Sequence, residues 1–101
     1  MDDAVIVFAT FHALPGKAED LRRLLSWMVG NSRSEPGCER YDLYRRQGTD
    51  ETFHLFERYR DPQALDAHRA SEHYVEYRRR VVDLIEGPIG VGVLHPIDVA
   101  G

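Results

Sequence analysis

The chain has 101 residues, of which 43% are hydrophobic and 30% are charged, and this composition suits one domain, residues 1–101, around a single core. Its formal net charge of −4 at pH 7 disfavours nucleic acid as a partner, and no apolar run approaches the roughly 18 residues that span a membrane. The acidic start Asp2-Asp3 is unlike a secretory signal and the single cysteine, Cys38, cannot form an internal disulfide, so we expect a cytoplasmic protein.

The first half of the chain begins with a strand pattern that is followed by a helix pattern. Residues Ala4 to His12 are almost all apolar and rich in Val, Ile and Phe, which is typical of a buried strand that Pro15-Gly16 ends. Between Lys17 and about Asn31, apolar residues recur at helical spacing and predict an amphipathic helix, which stops before Pro36-Gly37. The apolar stripe of this helix consists of Ala18, Leu21, Leu25 and Met28.

The second half contains five further predicted elements. They are strands at Cys38 to Gln47 and Thr52 to Arg60, helices at Pro62 to about Ala70 and Glu72 to about Glu86, and a last strand at Ile89 to Ile97. The turn "GTDE" joins the first two of these strands as a hairpin. Asp61 and Ser71 are typical helix N-caps, because their side-chain oxygens can accept hydrogen bonds from free amides of the first turn.

The order of these elements predicts the fold class. Strand, helix, strand, strand, helix pair and strand make two βαβ units, which combine into a four-stranded antiparallel sheet with helices on one face. This is the ferredoxin-like α+β layout. Both faces of the first strand are apolar, with Val5, Val7 and Phe11 on one face and Ile6 and Phe8 on the other. Because helices cover only one face, we expect the other face to pack against a second copy in a homodimer.

Three stretches of the sequence carry a resemblance to a known family. They are "PGCERYDLYR" (Pro36 to Arg45), "FHLFERYRDPQALDAHRASEHYVEY" (Phe53 to Tyr77) and "GPIGVGVL" near the C-terminus. They resemble the antibiotic biosynthesis monooxygenase family, which includes quinol monooxygenase-like proteins. The resemblance implies the dimeric α+β barrel, in agreement with the layout above. It also implies oxygenation of phenols, quinols or anthrones by O2 with no metal or flavin, although related members degrade haem or isomerise small phosphorylated ketones.

The stretch "ALDAHRASEHYVEY" holds two histidines, His68 and His73. Leu65 lies one turn before His68 on the predicted helix, so both side chains face the sheet or the rim of the space beneath the helix. An imidazole in that place can act as a general base, because it changes charge near neutral pH. The alternative is a helix-end histidine that is hydrogen-bonded to the backbone.

His73 lies five residues after His68, whereas two ligands on one helix face are three or four residues apart. Ser71 also starts a new helix between them, and no zinc-ligand spacing occurs in the chain. We therefore expect no metal site. His73 is either an anchor between the two helices or a substrate-binding residue.

The resulting hypothesis is a cofactor-independent monooxygenase that oxidises a phenol-, quinol- or anthrone-type small molecule with O2. His68 is the expected catalytic base, and the expected substrate-binding residues are Trp27, Tyr41, Phe11 and His73. Such chemistry needs a dry aromatic cavity, one base and hydrogen-bond donors that hold the substrate anion. The alternative is a non-catalytic dimeric small-molecule-binding or stress-response module, or a haem-degrading or isomerase relative.

Overall fold

The structure, a computed structural model, describes residues 2–101 and contains the predicted order of strands and helices. The elements are β1 (Val5–His12), α1 (Ala18–Arg33), β2 (Cys38–Arg45), β3 (Thr52–Tyr59), α2 (Pro62–Arg69), α3 (Glu72–Val81) and β4 (Gly90–Leu94). The four strands form one sheet in the order β2-β3-β1-β4, and each neighbouring pair is antiparallel. The predicted ferredoxin-like α+β fold is therefore confirmed.

The core lies between the helices and one face of the sheet. Alternation along β1 directs Val5, Val7, Ala9 and Phe11 to this face, and all four are at most 4% exposed. The apolar stripe of α1 packs against them through Leu21, Leu24, Leu25 and Met28, each at most 1% exposed. Burial of these side chains supplies the main stabilising free energy of the fold.

The largest differences from the predicted bounds are the early ends of α3 and β4. Helix α3 stops at Val81 rather than near Glu86, because Ile85 forms a bridge with Ala13 and the Glu86 amide donates to the carbonyl of His12 at 2.7 Å. Strand β4 stops at Leu94 rather than Ile97, just before His95-Pro96, since proline has no amide hydrogen for a sheet. Among the described residues, no helix combines the length and the apolar character that crossing a membrane requires.

The two predicted N-caps are confirmed, and they set the corner between α2 and α3. The Ala64 amide donates to the carboxylate of Asp61 at 2.8 Å, and the Tyr74 amide donates to the Ser71 hydroxyl oxygen at 3.2 Å. The Ser71 hydroxyl in turn donates to the backbone carbonyl of His68 at 2.6 Å. The end of α2 is thus tied directly to the start of α3.

The other face of the sheet carries exposed apolar side chains. Phe8 is 41% exposed, Tyr44 52% and Leu94 51%, and the Phe8 ring stacks on His54 with centroids 5.2 Å apart. Tyr41 faces the helices and is 1% exposed, which settles the orientation of the two tyrosines of β2. We refer to the side that carries Phe8, Tyr44 and Leu94 as the open face.

Gly37 and Gly30 provide a matched pair of stability tests. A Cβ on Gly37 would collide with the methyl group of Ala64, whereas a Cβ on Gly30, in α1, would find nothing within 4 Å. We expect Gly37→Ala to lower the free energy of unfolding by about 1–3 kcal/mol, as overpacking does. Gly30→Ala should raise it by about 1 kcal/mol through helix propensity. Urea titrations followed by circular dichroism test both, and equal effects of the two substitutions would contradict the close packing of Gly37 against α2.

Candidate active site

Polar side chains from several parts of the chain meet beneath the corner between α2 and α3. His68 comes from the last turn of α2 and His73 from the first turn of α3. Glu35 belongs to the turn between α1 and β2, and Glu57 to the helix-facing side of β3. Since these residues are far apart in sequence, the fold is what assembles them.

His68 is enclosed by aromatic rings and is 2% exposed. Its ring centroid lies 5.7 Å from that of Tyr41, 5.1 Å from that of Tyr59 and 5.1 Å from that of Tyr74. Burial lowers the pKa of His68 below its ordinary value of 6.5, while the hydrogen bond with Glu35 acts in the opposite direction. Because burial is the larger effect, His68 is neutral near pH 7.

The contact with Glu35 selects the tautomer of His68. Nδ1 of His68 lies 2.8 Å from Oε2 of Glu35. A carboxylate can only accept hydrogen bonds, so we assign the imidazole proton to Nδ1. Nε2 therefore carries the free lone pair, and this nitrogen faces Glu57, whose Oε1 is 4.0 Å away.

Glu57 is a buried carboxyl group, with 5% of its surface exposed. The hydroxyl of Tyr59 donates to its Oε1 at 2.6 Å. Burial raises the pKa of Glu57 from 4.5 to about 7, and the Tyr59 hydrogen bond opposes this rise only in part. Near neutral pH, a proton can therefore be gained or lost by Glu57 beside the lone pair of His68.

A cavity of about 270 Å³ opens onto these groups between the helix pair and the sheet. Its lining residues are Val7, Ala9, Tyr41, Glu57, Leu65, His68, Arg69, Tyr74, Tyr77, Arg78, Ile89 and Val91. The volume lies near the lower end of the range found for small-molecule pockets. The wall combines apolar side chains and tyrosines with Glu57, His68 and two arginines, so it offers a small molecule apolar contacts beside two groups that can exchange a proton.

The predicted site residues divide into two groups. Tyr41 and His68 line the cavity, whereas Phe11 and Trp27 do not. Phe11 is fully buried in the core, edge-on to Tyr77, and Trp27 is 38% exposed on α1 with the Arg80 guanidinium 5.6 Å from its ring centre. Phe11 and Trp27 therefore lie away from this cavity wall, and Tyr41 and His68 lie in it.

His73 lies outside the cavity wall but belongs to the same cluster. Its Nε2 is 2.5 Å from Oε2 of Glu35, and its ring centroid is 6.0 Å from that of His68. The sequence argument kept the two histidines apart because they do not share a face of one helix. The turn at Ser71 instead brings both rings to the same oxygen of Glu35. One ligand atom from each of Glu35, His68 and His73 lies within 4.8 Å of the others, so these three could hold a metal ion.

Two acidic residues of the cluster were not predicted as site residues. For Glu57 a signal exists: in "FHLFERY" the strand period of two places Phe53, Leu55, Glu57 and Tyr59 on one face, so burial of Glu57 follows from burial of its neighbours. For Glu35 there is no comparable signal, since it lies in the turn before Pro36-Gly37 and meets the histidines only in the folded chain.

The fold and the site together define a small α+β protein with a buried acid–base cluster beside an aromatic cavity. Residues 4–80 match the antibiotic biosynthesis monooxygenase family. The chain belongs to this family, as the three resembling stretches predicted, and membership supports a monooxygenase-type function.

Similar proteins agree with this assignment. The chain is 45% identical over 100 residues to "Putative monooxygenase Rv0793" of Mycobacterium tuberculosis, a match that covers 99% of this chain and 98% of that protein. The solved structure of Rv0793 superposes with a TM-score of 0.92 at 44% identity, covering 97% of this chain and 99% of the other. The crystal structure of PA3566 from Pseudomonas aeruginosa superposes with a TM-score of 0.90 at 33% identity, covering 97% and 98%.

The raised pKa of Glu57 makes a stability prediction with a defined sign. Below about pH 4.5 this carboxyl is protonated in both the folded and the unfolded chain. As the pH rises toward 7 the unfolded chain ionises more readily than the buried group, so folding loses stability. Glu57→Gln keeps an oxygen for the Tyr59 hydroxyl but cannot ionise. We expect the gain in free energy of unfolding of Glu57→Gln over the wild type to be about 2–3 kcal/mol larger at pH 8 than at pH 5.

Urea unfolding of both proteins at pH 5 and pH 8, with a chelator in the buffer, measures this difference. If the free energies of unfolding of the wild type and Glu57→Gln differed by the same amount at both pH values, a buried, proton-binding Glu57 would be contradicted.

Proposed function

We propose that the protein is a monooxygenase that oxidises a hydroxylated aromatic small molecule of the phenol, quinol or anthrone type with O2. The observation that carries the proposal is the orientation of His68. Glu35 holds the proton on Nδ1, so the lone pair is on Nε2, the nitrogen on the side of Glu57, and His68 and Glu57 both line the aromatic cavity. This is the arrangement that a general base requires.

The first step is removal of a proton from the substrate by Nε2 of His68. Closed-shell phenols and anthrones react slowly with O2, whereas their anions give up an electron readily. The anion transfers an electron to O2, and the resulting radicals combine into a carbon-bound peroxide. For an anthrone, a CH2 group and O2 become a C=O group and water, with one oxygen atom retained and the other reduced.

Tyrosine hydroxyls supply donors for the substrate anion. Burial raises the pKa of both Tyr41 and Tyr77, so each hydroxyl stays protonated and can donate. Both side chains belong to the cavity wall. Donors that are fixed in a site with little water stabilise negative charge more strongly than water does. In this proposal the substrate itself provides the electrons, so His68 and the tyrosines perform the reaction without a bound cofactor.

We further propose that the protein acts as a homodimer joined through the open face. Phe8, Tyr44 and Leu94 expose apolar surface on this face although helices bury the opposite one. Exposed apolar patches of this kind typically mark contact sites between proteins. The face is the same in both copies, so a two-fold axis can pair it with itself.

His68→Ala should lower turnover by about 100- to 10,000-fold, which is the usual contribution of a general base. The measurement is oxygen uptake with an electrode, under air, on a panel of quinols and anthrones. His95→Ala is the matched control, because His95 is exposed in the C-terminal tail. Turnover of His68→Ala equal to that of the wild type would remove His68 from the mechanism. Substrate binding by the wild type without oxygen uptake would instead support the alternative function of a non-catalytic small-molecule-binding module.

Phe8→Glu should convert a dimer into a monomer, because it places a charge in the centre of the open face. Sedimentation equilibrium at micromolar concentration measures the mass. Val75→Glu is the control, since Val75 is 61% exposed but lies on α3. A wild-type protein that sediments as a monomer at this concentration would contradict the dimer, as would dissociation caused equally by both substitutions.

A further inference from the structure

We propose that Glu35, His68 and His73 form a binding site for a divalent transition-metal ion of the Zn²⁺ class, and that the bound metal prevents His68 from acting as a base. The binding itself is independent of the proposed oxygenase function. The effect on turnover rests on that function.

The ligand atoms already converge on one point. Nδ1 of His68 and Nε2 of His73 lie 2.8 and 2.5 Å from the same oxygen, Oε2 of Glu35. In a tetrahedral zinc site with bonds of about 2.0–2.1 Å, neighbouring ligand atoms are roughly 3.3 Å apart. When one metal ion replaces the two hydrogen-bonding protons, the two N–O distances therefore need to lengthen by only about 0.5 and 0.8 Å. The fourth position is free for water, as in open zinc sites.

The chemistry and the exposure of the three side chains suit such an ion. Two imidazoles and one carboxylate are a common ligand set for Zn²⁺ and other first-row metals. The side chains of Glu35 and His73 are 16% and 17% exposed, so an ion can reach them from solvent, while His68 lies behind them at 2%. The hydrogen bonds of Ser71 hold the corner between α2 and α3 and therefore fix the positions of the two histidines relative to each other.

A second carboxylate supports the same site from the other side of the imidazole. Histidines that bind a metal through one ring nitrogen usually donate the other N–H to a carboxylate, a carbonyl or water. With a metal on Nδ1, the Nε2–H of His68 would point toward Oε1 of Glu57, which is 4.0 Å away. Glu57 thus lies on the side of the ring where a histidine ligand usually has its acceptor, and the gap of 4.0 Å would have to shorten for a hydrogen bond to form.

The bound metal would act through the tautomer of His68. A neutral imidazole has one N–H and one lone pair. Coordination uses the lone pair at Nδ1, so the proton must reside on Nε2, the nitrogen on the side of Glu57. The metal-bound form then has no lone pair to offer a substrate. Metal binding and proton abstraction at His68 are mutually exclusive.

Isothermal titration calorimetry of the chelator-treated full chain with ZnCl2 tests the site without any substrate. We expect saturable binding of one ion per chain, and binding at least about 100-fold weaker in His73→Asn and in Glu35→Gln, since each loses a ligand. His95→Asn, which changes an exposed tail histidine, should bind as the wild type does. Absence of saturable binding, or wild-type affinity in both ligand variants, would overturn the site.

A second experiment tests the control of the base and separates it from the proposed function. Oxygen uptake by the wild type should fall in step with zinc occupancy and return on adding a chelator. Full turnover at saturating zinc would overturn the tautomer control while leaving the binding site intact. If no substrate of the panel supports oxygen uptake, the oxygenase proposal fails, but the calorimetric result still decides the metal site.

Discussion

The shared carboxylate of Glu35 is the contact on which the rest of the site depends. A buried imidazole needs partners for its polar atoms, and Glu35 supplies one for His68 while also binding His73. The carboxylate thereby links the turn before β2 to both helices of the corner. Because it accepts from Nδ1, it also decides that the lone pair of His68 is on Nε2, the nitrogen on the side of Glu57. One oxygen atom therefore fixes position, tautomer and local packing together.

Glu57 shows a different constraint, which comes from the sheet. The strand period of two places Phe53, Leu55, Glu57 and Tyr59 on the core face, so Glu57 cannot reach solvent without reversing the register of β3. Its burial opposes ionisation and costs stability above about pH 4.5. A residue kept at such a cost beside a cavity and a neutral histidine is typical of a functional site rather than of packing alone.

Local patterns predicted most of the fold, whereas the site required tertiary contacts. Periodicity predicted each strand and helix, and the side-chain chemistry of Asp61 and Ser71 predicted two helix starts. The end of α3 was missed because it depends on the tertiary Ala13–Ile85 bridge, and the end of β4 because the effect of Pro96 on the strand was not taken into account. The helical wheel could not show that Arg80 would cover Trp27, and no local rule joins Glu35 to residues more than 30 positions away.

Strand β4 connects the cavity with the open face. It is an edge strand that pairs only with β1 in the described chain, and Val91 on its helix side lines the cavity. Leu94 on its other side belongs to the open face, since it pairs with Ile6 in the register of β1. In the proposed dimer, a second copy would cover Leu94 and hold this short strand in place. Val91 and Leu94 belong to the same five-residue strand. Assembly through the open face would therefore also hold this part of the cavity wall in place, although no partner residue would enter the cavity.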